Sequence, residues 1–382
     1  MDDAAAIRLL TDAVSIPSPS GAEADLAHWL HSRLEPDVDR SSIDEAGNYL
    51  ATVGTGPVRL YCLGHIDTVP GDIPVRIEDG WLWGRGSVDA KGSFCSHAAG
   101  AIRAFRDNPG LRDHLSVTLI GAAGEEAPHS IGARHAVNSL PAPDLLLIGE
   151  PSGWQSLTLG YKGQLTLKLT VTSPEAHSAG KEASAADCLM AICAALREQA
   201  SELTPPVPAG SGTEHFRRVQ MTVTALHSSS DGLRQHADAT ISFRLPPGVT
   251  AGSADAALRA AANHAARTEG RVELHIESSA GVDAVLGEKD SILSRCFRAA
   301  IRQQGGRPGF KVKTGTSDMN VVAPYWQAPV LAYGPGDSAL DHTPDERVLV
   351  SEYLKAVAVT ADAIQLIGEL TAVRTPADDW TA

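Results

Sequence analysis

The sequence predicts a mixed α/β protein in which a ferredoxin-like βαββαβ unit is inserted into a larger α/β lobe. Three observations carry that prediction. The apolar runs VRLYCLGH (58–65), LSVTLIGAAGEE (115–126) and DLLLIGEP (144–151) read as buried strands that each finish on or just before His or Glu. Between about residues 160 and 279 the pattern changes to strand, helix, strand, strand, helix, strand. From residue 291 the signals of the first lobe return, including the apolar run APVLAYG (328–334). The expected division is therefore 1–159 with 280–382 for the split catalytic lobe and 160–279 for the inserted lid.

Taken in order, the chain opens with helices. Ser20 is placed to cap a segment in which Leu26, Trp29, Leu30 and Leu34 share one face. An alanine-rich helix over 98–105 follows the glycine-bracketed stretch GRGSVDAKG (84–92). Inside the insertion the expected elements are strand 164–172, helix 182–203, strands 218–226 and 239–245, helix 253–268 and strand 271–277. The Pro- and Gly-rich run at 204–215 is a loop within that unit. A closing helix spans 351–370, and RTPADDWTA reads as a frayed tail.

Bulk composition excludes several classes. With 382 residues, 43% hydrophobic and 20% charged, the chain has material for two cores and is neither disordered nor fibrous. A net charge of -14 without any Lys/Arg run opposes nucleic-acid binding. No apolar run reaches membrane-spanning length, and the acidic start MDDAAAIRLL lacks the positive charge of a secretion signal, so the expected address is cytoplasmic and no membrane partner is expected. Five cysteines without CxxC spacing read as reduced core thiols.

The chemistry-bearing residues collect where strands end. His65 and Asp67 of GHIDTVP lie two apart, so on extended chain they share one side: a metal ligand with its orienting carboxylate, or a satisfied polar pair. Asp89 sits in the glycine-bracketed turn as a ligand or as a helix cap; the GxxxxGK[ST] register of a phosphate loop is absent. Glu125 and Glu126 are adjacent carboxylates that repel unless a cation or proton lies between them, or unless they are merely solvated. Glu150 follows an apolar strand and, if buried, needs a partner. With His342 of ALDHTPDE they form a set of hard N and O donors suited to two zinc ions.

In combination, GHIDTVP, GRGSVDAKG, GEE, GEP and HTPDE resemble the co-catalytic zinc amidohydrolase and metallopeptidase family that includes acetylornithine deacetylase, succinyl-diaminopimelate desuccinylase and the aminoacylases. The resemblance covers nearly the whole chain and implies a zinc-exopeptidase-like catalytic domain with a lid and dimerisation insertion. It implies that His65, Asp89 and Glu150 bind one divalent ion and Asp89, Glu126 and His342 a second, zinc first and cobalt as the alternative. Asp67 would orient His65, and Glu125 would serve as general base toward a bridging water. It further implies that His177 of AHSAG stabilises the oxyanion and that Arg244, Gly315 and Thr316 contact substrate, although Arg244 also fits an ordinary strand end and Ser317 or Asp318 of KTGTSDMN could simply cap a helix. Within the family, GHIDTVPGDIPVR, EEAPHSIGAR, GYKGQL and KTGTSDMN are most similar to hydrolases that release lysine or ornithine from an acidic amino-group carrier protein. N-acetylornithine deacetylation and dipeptide hydrolysis are the alternatives, and a homodimer formed through the lid is implied.

Overall fold

The computed structural model describes residues 1–177, 179–206, 213–268 and 272–373. They form two compact units. The first comprises Met1–Gly160, Gly287–Lys311 and the chain from Ser317 onward; the second comprises Tyr161–Leu286 with Val312–Thr316.

The first unit is built on a mixed sheet. Strand Val58–His65 runs parallel to Leu115–Ala122 on one side and to Leu145–Gly149 on the other, and Val330–Tyr333 continues the parallel run beyond Leu145–Gly149. Their interiors are almost wholly buried, which is why the sequence shows continuous apolar runs there rather than alternation. Register aligns His65 with Ala122 and Gly64 with Gly149, so the carboxyl ends of these strands finish together. Side chains alternate across the sheet: Tyr61 meets Trp326 edge-on at 5.3 Å on one face, while Leu60 and Cys62 join Phe94 and Cys95 of helix Lys91–Asp107 in the core of the other. Helices Asp3–Ser15, Ile292–Gln303 and Val350–Val373 pack into that same core.

Local details differ from the sequence expectation. Helix Ala24–Leu34 begins after Glu23, and Ser20 does not cap it; the Ser20 hydroxyl donates instead to Asp67 Oδ2 at 2.7 Å. The alanine-rich helix begins at Lys91, seven residues ahead of the expected start at 98. Gly92 explains its close junction with the preceding turn, since a Cβ there would stand 2.3 Å from the Ser87 carbonyl oxygen. Two strands of the sheet, Arg40–Ile43 and Tyr49–Val53, are too short to stand out by periodicity, and the first is mostly polar. The tail 374–382, and residues 207–212 within the Pro- and Gly-rich loop, lie outside the described residues.

The second unit holds strand Gly163–Pro174, helix Ala185–Glu202, strands Gln220–Ser230 and Arg234–Leu245, helix Ala251–Thr268 and strand Glu273–Ser278. In space the strands run Gln220–Ser230, Arg234–Leu245, Gly163–Pro174, Glu273–Ser278, all antiparallel, which is the ferredoxin-like order. Leu165, Leu167, Leu169 and Val171 alternate inward against Leu189, Ile192, Leu196 and Leu258 of the two helices. Among the described residues no helix is long and apolar enough to cross a membrane.

Candidate metal and catalytic site

Every acidic or imidazole group expected to handle metal lies in the first unit, just beyond the carboxyl ends of the parallel strands. His65 is the last residue of its strand and is 2% exposed. Its Nε2 stands 3.1 Å from Asp89 Oδ1, and its Nδ1 lies 3.0 Å from the Asp67 carbonyl oxygen and 3.4 Å from Asp67 Oδ1. That fixes the ring from behind and turns Nε2 toward Asp89. Burial opposes a charge on His65, but Asp67 and Asp89 outweigh it and hold the imidazole well above its ordinary range.

Asp67 does more than orient His65. Its Oδ1 and Oδ2 accept the backbone N–H groups of Glu125 and Glu126, both at 3.0 Å. With the Ser20 hydroxyl these bonds satisfy a fully buried carboxylate, and they bind the turn carrying the two glutamates to the strand end carrying His65. Despite its burial, His65, Ser20 and the Glu126 amide keep Asp67 below the usual carboxylate range.

Asp89 is held in the turn that Gly86 makes possible at a φ of 84°, where a Cβ would meet the Thr68 methyl at 2.9 Å. Its two oxygens serve different partners: Oδ1 faces His65, and Oδ2 lies 3.0 Å from His342 Nε2. His342 Nε2 is also 2.8 Å from Glu126 Oε1. His342 itself adopts a φ of 61°, a left-handed conformation that L-residues rarely take, in a turn closed by the Thr343 amide and hydroxyl on the Leu340 carbonyl.

One donor atom each from His65, Asp89 and Glu126 falls within 4.8 Å of the others. This set, with His342 across the Asp89 carboxylate, fits divalent ions: imidazole nitrogen and carboxylate oxygen in mutual reach, and one carboxylate addressing two imidazoles. Glu150, 7% exposed, stands beyond its strand in the same unit, and its charge is felt by Glu125. Burial pushes Glu125 and Glu126 above the ordinary carboxylate range, with further repulsion from Glu150 at Glu125 and from Asp89 at Glu126.

Asp318 joins this group and was foreseen only as a possible helix cap. Ser317 takes the capping role, in a reciprocal box with Asn320, and leaves Asp318 inside. Asp318 is 2% exposed, and neither oxygen makes a hydrogen bond of normal geometry. Burial, reinforced by Asp67 and Glu150 and opposed by His65, pushes it up to about 7. No periodicity marks such a residue; the only signal was an acid beside a good capping serine.

A pH dependence follows. In the metal-free protein the hydrogen bond to Asp89 and the charge of Glu126 outweigh burial and raise His342 to about 9, so at pH 7 the ring carries a proton that a cation must displace. Metal binding is expected to release protons near pH 7 and to tighten as pH rises toward 9, by about tenfold per pH unit for each proton displaced. Calorimetric titrations in buffers of different ionisation enthalpy measure this; affinity independent of pH between 6.5 and 8.5 would remove His342 from the ligand set.

Arg244, Gly315, Thr316 and His177 belong to the second unit. Arg244 Nη1 donates to Thr316 Oγ1 at 3.2 Å and to Gln164 Oε1 at 3.1 Å, so two of the expected substrate contacts meet around a glutamine that was not foreseen. Gly315 has open space where a Cβ would stand. Lys162, fully buried, donates through Nζ to Gln220 Oε1 at 2.7 Å and to the Arg218 carbonyl. Burial and the charge of Arg244 lower Lys162 to about 8. His177 is exposed, and its Nδ1 accepts the Ala179 N–H at 3.1 Å, which places the proton of the neutral ring on Nε2.

Residues 62–366 match the family described as peptidase family M20/M25/M40. The chain is 48% identical to the "[LysW]-lysine hydrolase" of Deinococcus radiodurans over 369 residues, 96% of this chain and 98% of that protein. It is 35% identical to the "putative [LysW]-lysine/[LysW]-ornithine hydrolase" of Thermococcus kodakarensis, covering 94% and 91% of the two chains. Its fold is similar to that of the M20 family metallo-carboxypeptidase Sso-CP2 from Sulfolobus solfataricus, with a TM-score of 0.76 at 17% identity over 97% and 100% of the two chains.

Proposed function

Because the chain belongs to peptidase family M20/M25/M40, we propose that it is a dinuclear metal-dependent amidohydrolase that releases lysine from a LysW-type amino-group carrier protein. The observation that carries the substrate is the 48% identity, along nearly the full length of both chains, to a protein named for [LysW]-lysine. More distant relatives are named for both lysine and ornithine, which makes ornithine the second substrate to test. The bond cleaved joins the amino acid's α-amine to the γ-carboxyl of the carrier's terminal glutamate.

In this reading His65, Asp89 and Glu150 hold one divalent ion and Asp89, Glu126 and His342 the other, with zinc the first choice and cobalt the alternative. When bound, such a pair supplies Lewis acidity to the scissile carbonyl and makes water a competent nucleophile near neutral pH. The protein supplies the rest. Glu125, half-buried and raised above ordinary carboxylates by desolvation, takes the proton from the attacking water and delivers it to the departing amine. Asp67 keeps the Glu125–Glu126 turn in register with His65. His177 Nε2–H is a donor for the developing oxyanion. Arg244, steadied by Gln164 and Thr316, receives the α-carboxylate of the amino acid, and Gly315 leaves room beside it. Among the described residues no disulfide is formed, which suits a reducing compartment, and we place the protein in the cytoplasm.

The test is a substrate panel: carrier protein loaded with lysine or ornithine against N-acetyl-lysine, N-acetylornithine and dipeptides, each with zinc or cobalt added. Free lysine is expected from the loaded carrier. Turnover of acetyl-amino acids alone would overturn the carrier assignment and leave the amidohydrolase chemistry standing.

The lid is also the proposed dimerisation surface. Strand Gln220–Ser230 is an eleven-residue edge strand whose residues from Thr222 onward are exposed, including Val223 and Leu226. The strand carries one register shift, between Val223 and Ala225, and a long, partly apolar edge is normally covered; pairing with the same strand of a second copy covers it. Val223→Lys with Leu226→Lys is expected to convert a dimer into a 40.0 kDa monomer in sedimentation analysis. An unchanged mass would place the interface elsewhere.

A further inference from the structure

Glu346 is the last residue of the HTPDE segment and is completely buried. Both carboxylate oxygens are committed to the loop that ends at Asp89. Oε1 accepts the backbone N–H of Val88 at 3.0 Å and of Asp89 at 3.1 Å, and Oε2 accepts Arg85 Nη1 at 2.7 Å. Its own carbonyl receives the Gly84 N–H at 3.3 Å, and the next residue, Arg347, pairs in register with Trp83. Arg85 Nη1 also reaches the Thr343 carbonyl at 3.3 Å, and its Nε donates to the Gly71 carbonyl at 3.1 Å.

These bonds join two loops. One, 84–89, ends in the aspartate whose oxygens face both imidazoles; the other, 342–346, begins with His342. A buried carboxylate is costly unless its lone pairs are met by a cation and by amide donors, and Glu346 meets that condition only while both loops keep their present spacing. Asp67 does the same for the Glu125–Glu126 turn through two consecutive amides. The site is thus framed by two carboxylates that bind backbone amides of ligand-bearing turns, one behind His65 and one behind Asp89.

We propose that Glu346, together with Arg85, is a positioning residue that holds Asp89 and His342 at the separation a pair of metal ions requires. The proposal rests on the metal-site reading above. Arg85 is 15% exposed in its side chain and Glu346 1%, so Glu346→Gln leaves unpaired the partner that water can reach, whereas Arg85→Met leaves the buried carboxylate with its amide donors alone.

The test is titration of the metal-free protein with Co2+, followed by its visible absorption, in the parent and in the Glu346→Gln, Arg85→Met and Arg85→Lys variants. Unless the parent binds two ions per chain, the metal-site reading itself fails. If it does, Glu346→Gln and Arg85→Met are expected to weaken Co2+ binding by about 10–100-fold, as loss of groups behind metal ligands does elsewhere. Arg85→Lys, which keeps the charge but not the fork, should recover part of that loss. At saturating Co2+ the variants should regain most of kcat with the parent's KM. Parental Co2+ affinity in both disrupting variants overturns the proposal, whether or not their melting temperatures fall. Should either disrupting variant not fold, the other carries the same readout.

Discussion

Replacing Glu125 by Gln is expected to lower kcat by about 10⁴-fold, the upper end of what a positioned general acid–base contributes, while the protein still takes up two metal ions per chain. The substitution keeps the volume of a half-buried side chain, so no cavity confuses the result. It removes the only function that needs a carboxylate there: accepting a proton and returning it. Desolvation favours that role, because it raises the proton affinity of Glu125 above that of an ordinary carboxylate. Metal analysis beside steady-state kinetics decides the matter. Retained turnover would move the base to another residue, with Asp318 first in line, and loss of a metal ion would make Glu125 a ligand.

Asp89→Asn is expected to empty both metal positions at once, with binding weakened by more than the ~100-fold that outer partners of a ligand contribute. Asp89 offers Oδ1 toward His65 and Oδ2 toward His342, so its carboxylate is shared between the two halves of the site. An asparagine keeps one acceptor and turns an amide NH2 toward a cation. His342→Ala should by contrast cost one ion and leave the other, because its contacts are confined to Asp89 and Glu126. Metal content after dialysis, measured for both variants, separates these outcomes. One ion firmly retained in Asp89→Asn would show that the carboxylate does not bridge.

Much of this site was legible because its members sit at punctuation marks in the sequence. His65, Glu126 and Glu150 follow apolar runs, and burial along a parallel strand writes itself as uninterrupted Val, Leu and Ile. Asp89 is announced by the glycines that its turn requires. Arg244 and Thr316 were named one by one, but the glutamine between them was not, since Gln164 occupies an ordinary position on an alternating strand. Asp318 and Ser317 were both read as possible caps; only the competition for the first amides of helix Asp318–Trp326, which Ser317 wins, sends Asp318 inward. Ser20 was misread for the opposite reason, as its hydroxyl has a stronger partner in the buried Asp67 carboxylate than in any helix amide.

What the amino-acid order determined by itself is local and periodic: which segments are buried strands, where the βαββαβ rhythm begins, and which acids and histidines close each run. Those features arise from side-chain alternation and turn chemistry, and they are written within a dozen residues. The tertiary structure alone decided which carboxylates cluster, that Asp67 and Glu346 each clasp the backbone of a different turn, and that one aspartate looks toward two imidazoles. Such contacts join residues as much as 261 positions apart, as Arg85 and Glu346 are, and depend on hydrogen-bond geometry that no spacing along the chain encodes.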